Sequence, residues 1–176
     1  MRHTARKVFF AWSYEQEENW LNQMSAKGLQ LVSVGFCKYV FEDGAPGEYN
    51  YRLELLENLP SHPESIAYIR FLEEAGIEQI GTYFRWVYFR RKATDGAFDL
   101  YSDLESRIKH YRRILMLLAA IMPLTIINAV NMIIHPWPST WPLSLITSAL
   151  AVLVGTGVVK MIKKIRRLTK EHTIRE

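Results

Sequence analysis

The chain has 176 residues, with 22 Lys+Arg against 18 Asp+Glu, five histidines and one cysteine. A single cysteine excludes an internal disulfide, which suits a reducing compartment. The basic balance raises nucleic acid as a partner, but residues 1–106 hold 11 Lys+Arg against 16 Asp+Glu, and residues 107–176 hold 11 against 2. The part able to fold as a globular head is therefore acidic, and no nucleic-acid partner is expected.

Near the start, Arg2, Arg6 and Lys7 precede a short apolar patch at 8–12 and then Glu15, Glu17 and Glu18. That patch is too short for a signal-peptide core and reads as a strand at 7–12. From Ser13 the chain repeats itself with an offset of 48 residues. Ser13 matches Ser61, Trp20 matches Tyr68, Leu21 matches Ile69 and Met24 matches Leu72. Gly28 matches Gly76, Val32 matches Ile80, Phe36 matches Phe84 and Phe41 matches Phe89. Each copy has the same grammar. A Ser with Gln16 or Glu64 three residues on predicts a capping box, and Pro63 sits early in the second helix, where its missing N–H is tolerated. An apolar stripe follows, and Gly28 or Gly76 ends the helix. Strands are predicted at 29–34 and 36–42, then at 77–82 and 84–91. Tyr49, Tyr51, Leu53 and Leu55 alternate with polar residues and predict a strand at 49–55. The prediction for residues 1–92 is an α+β head, a duplicated β-α-β-β forming one mostly antiparallel sheet with two helices on one face.

Residues 93–113 read as a linker and a juxtamembrane helix, with a third capping box at Ser102 and Glu105 and with Leu104, Ile108 and Tyr111 on one side. Residues 114–134 carry no charge and reach about 31 Å as a helix, roughly the thickness of a bilayer core. Residues 143–162 form a second apolar run, broken only by Lys160. Together they predict an α-helical transmembrane hairpin around an external loop at 135–142. Arg107, Lys109, Arg112 and Arg113 precede the first span, the loop has no Lys or Arg, and a basic tail at 163–176 follows the second. The positive-inside rule then places both termini in the cytosol of a two-span protein of the cytoplasmic membrane. Trp137 and Trp141 suit an interfacial belt, and Pro136, Pro138 and Pro142 suit a tight turn.

The pattern Trp20-Leu21-x-x-Met24-x-x-x-Gly28, with Tyr39-x-Phe41, Tyr49-x-Tyr51-Arg52, Glu74-Ala75-Gly76 and Phe89-Arg90, resembles a family of bacterial membrane proteins catalogued as domain of unknown function 2812. The resemblance covers residues 5–92, and a transmembrane hairpin is the usual companion. It departs at Gly76-Ile77, where the family often has Gly-Trp. Members are often encoded beside a PadR-like transcription regulator, so the resemblance implies an envelope-linked response rather than metabolism.

Several groups of residues are candidates for function. In a single sheet, Cys37, Tyr39 and Phe41 would face the helices with Val87 and Phe89. Lys38, Val40, Arg52, Glu54, Trp86 and Tyr88 would then form an outer face able to bind a partner. Glu15, Glu17 and Glu18 favour the positive end of the first helix. Asn128 and Asn131 share one face of the first span and suit an interhelical hydrogen bond. Thr147, Ala151 and Gly155 form a small-residue stripe on the second span, suited to packing against the first or against a second protomer. Lys163, Lys164, Arg166 and Arg167 could meet anionic lipid. The histidines lack ligand spacing, and no phosphate loop or set of acid, base and nucleophile converges, so no cofactor, metal or catalytic residue is expected. The expectation is a membrane-anchored, non-enzymatic sensory or protein-interaction module, with self-association or another protein as partner. The alternatives are a small ligand in place of a protein partner, an accessory subunit acting through its hairpin, and an enzyme using the head as its active site, against which the missing acid, base and nucleophile set counts.

Overall fold

Residues 1–101, 103–134 and 141–175 are described in the computed structural model of the protein. They fall into two units, Met1–Ser102 and Asp103–Glu176. The first unit runs β1 (Arg2–Arg6), α1 (Tyr14–Ala26), β2 (Leu29–Gly35), β3 (Lys38–Asp43), β4 (Tyr49–Leu55), α2 (Pro63–Glu74), β5 (Glu78–Tyr83) and β6 (Trp86–Lys92). Both β-α-β-β halves have the same strand order, β1-β3-β2 and β4-β6-β5, and every pairing is antiparallel. Each ladder slips at one bulge, between Leu31 and Ser33 and between Gln79 and Gly81. The skipped residues, Val32 and Ile80, are 48 apart.

The α+β head thus has the antiparallel β-α-β-β halves read from the sequence, in two three-stranded sheets rather than one. β2 and β5 lie beside each other, and Gly81 leaves room for Val34, whose Cγ2 would stand 3.1 Å from any added Cβ. The helices are also distributed differently from the one-face expectation. Along β6 the side chains alternate. Val87 and Phe89 bury against Ile69 and Leu72 of α2, with Leu56, Ile77 and Phe98, while Trp86 and Tyr88 turn to α1.

The first strand is Arg2–Arg6, not 7–12. Exposed cross-strand ion pairs match this register. The terminal amine lies 2.7 Å from Asp43 Oδ2, Arg2 Nε 2.6 Å from Glu42 and His3 Nε2 2.8 Å from Asp43 Oδ1. The apolar patch instead leaves the sheet and packs its aromatic rings beside α1. Cys37, expected in a core strand, lies in the two-residue turn between β2 and β3.

The helix ends follow local chemistry. Ser13 makes no capping hydrogen bond. Pro63 holds the preceding residue extended, so His62, not Ser61, is the N-cap of α2, and its Nδ1 accepts from the Glu64 N–H at 3.3 Å. At the other end the N–H of Gly76 donates to the Glu73 carbonyl and that of Ile77 to the Leu72 carbonyl, both at 3.0 Å. This Schellman motif seats Ile77 in the α2 core. Gly28 caps α1 with φ +81°.

The second unit is a pair of long helices packed side by side, α3 (Leu104–Ile134) and α4 (Trp141–Arg175). Both are long and apolar enough to cross a membrane. Asp103 caps α3 by accepting from the Ser106 N–H at 2.6 Å. Ser102 and residues 135–140 of the predicted loop at 135–142 lie outside the described residues, and Trp141 and Pro142 begin α4 instead. Ile114, Leu118 and Thr125 of α3 are buried, as are Val154 and Met161 of α4, at the four- and seven-residue spacings of a helical seam. Met116, Leu124, Ile127, Ile146 and Val152 are exposed, which gives the pair an apolar outer surface.

The two C-cap glycines separate backbone strain from crowding. Both have φ near +80°, but a Cβ on Gly76 would meet nothing within 4 Å, whereas one on Gly28 would stand 3.0 Å from the Gly44 carbonyl oxygen. Gly76→Ala is expected to destabilise the head by about 1–2 kcal/mol, the left-handed backbone penalty alone, and Gly28→Ala by measurably more. Urea denaturation of the purified chain in detergent checks the order.

Candidate functional site

α1 organises the head through three of its faces. One face clasps the outer edge of β4, an edge strand whose outward N–H and C=O groups β6 cannot reach. Glu18, Asn22 and Ser25 recur at i, i+4 and i+7 along that face. Glu18 Oε1 accepts from the Leu53 N–H at 2.8 Å. Asn22 accepts from the Tyr51 N–H at 2.7 Å and donates to the Tyr51 carbonyl at 3.3 Å. Ser25 Oγ donates to the Tyr49 carbonyl at 2.7 Å. Side chains thus complete a ladder that a seventh strand would otherwise provide.

The second face is buried and carries Tyr14, Glu17, Leu21 and Ser25. Glu17 Oε1 accepts the hydroxyls of Tyr39, from β3, at 2.7 Å and of Tyr88, from β6, at 2.6 Å. One carboxylate oxygen thereby ties a residue from each sheet to α1. Burial raises the Glu17 carboxyl above its ordinary value, opposed by the two tyrosine donors. Burial, with Glu17 beside them, raises both phenols. In the sequence, Glu15, Glu17 and Glu18 read only as charges at the helix end. Glu17 and Glu18 instead make the polar contacts that join the sheets to the helix. The available signal was positional, since a carboxylate at 17 falls within the stripe of Tyr14, Leu21 and Ser25.

The third face opens on a cleft of about 510 Å³ between α1 and residues 7–10, a volume within the range of small-ligand sites. Gln16, Asn19, Trp20 and Gln23 line one wall, with Lys7, Phe9 and Phe10 opposite. The Lys7 ammonium sits 4.9 Å from the ring centres of both Phe9 and Trp20, a cation–π arrangement. Trp20 stands edge-on to Tyr39 at 4.9 Å and to Phe41 at 5.7 Å. The chain of contact therefore runs from the cleft through Trp20 and Tyr39 to Glu17 and across to Tyr88. The cleft is not legible in the sequence, where its far wall reads as a strand at 7–12.

The binding face expected from the sequence does not assemble. Tyr88 and Glu54 are buried, and Tyr68 donates to Glu54 at 2.7 Å from α2. Leu53 pairs with Tyr88 and Glu54 with Val87, so Glu54 and Arg52 lie on the opposite face of their sheet from Tyr88 and Trp86. Arg52 donates to the Tyr51 carbonyl at 2.8 Å, and the Trp86 ring packs 5.7 Å from Tyr14. Lys38 and Val40 belong to the other sheet.

In the second unit, the Asn128 amide donates to the Leu124 carbonyl of its own helix at 2.8 Å rather than across to α4, and Asn131 is exposed. Thr147 and Ala151 are half-buried. A Cβ on Gly155 would meet nothing within 4 Å, so this glycine is not at a close crossing with α3. Lys163 and Arg166 are exposed, Lys164 lies 5.1 Å from the Tyr111 ring centre, and Arg167 pairs with Glu171 at 3.1 Å. Among the described residues no group of three or more His, Cys, Asp or Glu could hold a metal ion.

Burial lifts the Glu18 carboxyl to about 7, opposed by the Leu53 N–H and the Arg52 charge. The ordinary glutamate value is 4.5, so between these values the folded head holds the proton more tightly than the unfolded chain. This contribution to stability is full below pH 4.5 and is lost as pH rises through about 7. Glu18→Gln keeps an oxygen for Leu53 and removes the titration. The stability lost between pH 5 and pH 8 is expected to shrink by about 2 kcal/mol in that variant, measured by denaturation at each pH.

No curated protein and no solved structure matches the chain. A family profile described as Protein of unknown function (DUF2812) matches residues 13–122, which takes in both β-α-β-β halves from α1 onward and the first turns of α3. The match spans more than half of the sequence, and the chain belongs to this family.

Proposed function

We propose that this protein is a membrane-anchored, non-enzymatic module that senses or binds through its head, with α3 and α4 as a transmembrane hairpin. The head and both termini lie in the cytosol on this reading, because the basic residues flank the two apolar runs. The observation that carries the proposal is the cleft beside α1. Its walls combine aromatic rings, three amides, the Ser13 hydroxyl and one ammonium, groups that bind and orient a ligand through hydrogen bonds and ring contacts. A ligand that moves Lys7 or Trp20 would press on Tyr39, and through Glu17 on the other sheet. The same reading takes the 48-residue repeat as a gene duplication, and it gives the protein a place in an envelope response under a PadR-like regulator.

A second reading, an accessory subunit acting through the hairpin, is favoured by Asn128 and Asn131, two amides exposed on the outer surface of an apolar helix. In hydrocarbon such groups favour a neighbouring helix able to hydrogen-bond with them.

One experiment separates the two. Wild type, Lys7→Ala/Trp20→Ala and Asn128→Leu/Asn131→Leu are cross-linked in native membranes, and co-purifying proteins are identified by mass spectrometry. Loss of a specific partner in the cleft variant alone is the expected result. Loss in the asparagine variant alone favours the accessory subunit. A partner kept by both variants argues against both surfaces.

A further inference from the structure

The head displays aromatic rings at one end, where the structure makes two unfavourable choices. The turns joining β2 to β3 and β5 to β6 are two-residue loops, Phe36-Cys37 and Phe84-Arg85. Each puts a non-glycine residue in the left-handed region, Cys37 at φ 51° and Phe84 at φ 56°. Glycine or asparagine would fit there with less strain, and a bulky side chain fits poorly. Both loops also hold a phenylalanine in water, with Phe36 77% and Phe84 62% exposed. Tyr83, 41% exposed, lies 6.0 Å from Phe36, so the tips of the two sheets join in one aromatic cluster. Strained residues and exposed aromatic clusters both mark working surfaces.

Charge identifies the occupant. Arg6 and Lys38 pair across the sheet at the base of the Phe36 turn, and the Lys7 N–H donates to the Cys37 carbonyl at 3.2 Å. The side chains of Arg6 and Lys38 make no ion pair among the described residues. At the opposite end of the same sheet, Arg2 is taken up by Glu42, and His3 and the terminal amine by Asp43. Within this sheet, the strand cations left open therefore stand at the aromatic end. Aromatic side chains seated at the headgroup level with Lys and Arg beside them are the composition of a membrane-surface contact.

We infer that the Phe36, Tyr83 and Phe84 tips dock on an anionic lipid surface, with Arg6 and Lys38 against the headgroups. The inference rests on the membrane-anchored reading, which would tether the head beside such a surface.

The single cysteine, Cys37, allows a direct test. The full chain, spin-labelled at Cys37, is placed in nanodiscs of phosphatidylcholine alone or mixed equally with phosphatidylglycerol. Collisional access of oxygen and of a water-soluble nickel chelate is then compared. The expected result is a several-fold rise in the oxygen-to-nickel ratio in the anionic discs, lost in Phe36→Ser/Phe84→Ser and weakened in Arg6→Gln/Lys38→Gln. A label on Thr82→Cys in a Cys37→Ser background should report the same from the other hairpin, independently of any disturbance at Cys37. Incorporation into discs with the label in water under both compositions would overturn the lipid contact and leave the anchored reading standing. Failure to incorporate would overturn both. A label shielded only when two chains share a disc would overturn the lipid contact in favour of self-association.

Discussion

The head depends on how one helix treats one strand edge. β4 ends its sheet, and an uncovered edge of that length is a template for wrong pairing. α1 covers it with side chains, not with a strand. Glu18, Asn22 and Ser25 supply acceptors and donors at helical spacing to the backbone of alternate β4 residues. Once α1 is held along that edge, its next face must lie between the two sheets. Glu17 is then desolvated, and the hydroxyls of Tyr39 and Tyr88 provide its compensation. Glu17 by itself would be an unfavourable group to bury. With a donor from each sheet at short distance, it becomes a contact that only this packing can satisfy.

The same geometry makes the two halves unequal despite their shared strand order and matching bulges. α2 packs by apolar side chains, with Ile69 and Leu72 against Val87 and Phe89, and it ends in a Schellman turn that adds Ile77 to that core. α1 packs through a polar network and leaves its outer side facing the cleft. The sheet of β4, β5 and β6 is covered on both faces, whereas residues 7–10 run free of any strand and form the cleft's far wall. The cleft opens where the repeat is broken, not where it is regular. Trp20 is the residue that touches both sides, open to the cleft and in ring contact with Tyr39.

The second unit follows simpler physics. An apolar seam holds two long helices together, and large aliphatic side chains remain on the outside, where water would be unfavourable and lipid is neutral. Pro123 lies within α3 without ending it. The seam between α3 and α4 uses Ile114, Leu118, Val154 and Met161, large side chains rather than the small-residue stripe.

Much of this architecture was legible in the chain. The repeat of serine, apolar stripe and glycine located both helices of the head. The alternation at Tyr49, Tyr51, Leu53 and Leu55 gave β4 its observed bounds, Gly28 and Gly76 marked the turns that close the helices, and the charge-free runs gave α3 and α4. These are local matters of capping, left-handed turns and periodicity, which a sequence encodes within a few residues. The first strand was misplaced because an apolar patch outweighed the ion pairs of Arg2, His3 and the terminus with Glu42 and Asp43, partners about 40 residues away. The binding face was misassigned for a related reason. Which side of a strand is buried depends on what covers it, and strand alternation does not say that Tyr88 meets a carboxylate on α1 while Glu54 meets Tyr68 on α2. By itself the sequence determined the elements, their order and the division into an acidic head and an apolar helical pair. Only the tertiary structure decided that the strands form two sheets, that Glu17 joins them and that a cleft opens beside Trp20, because each of these follows from contacts between residues distant in sequence.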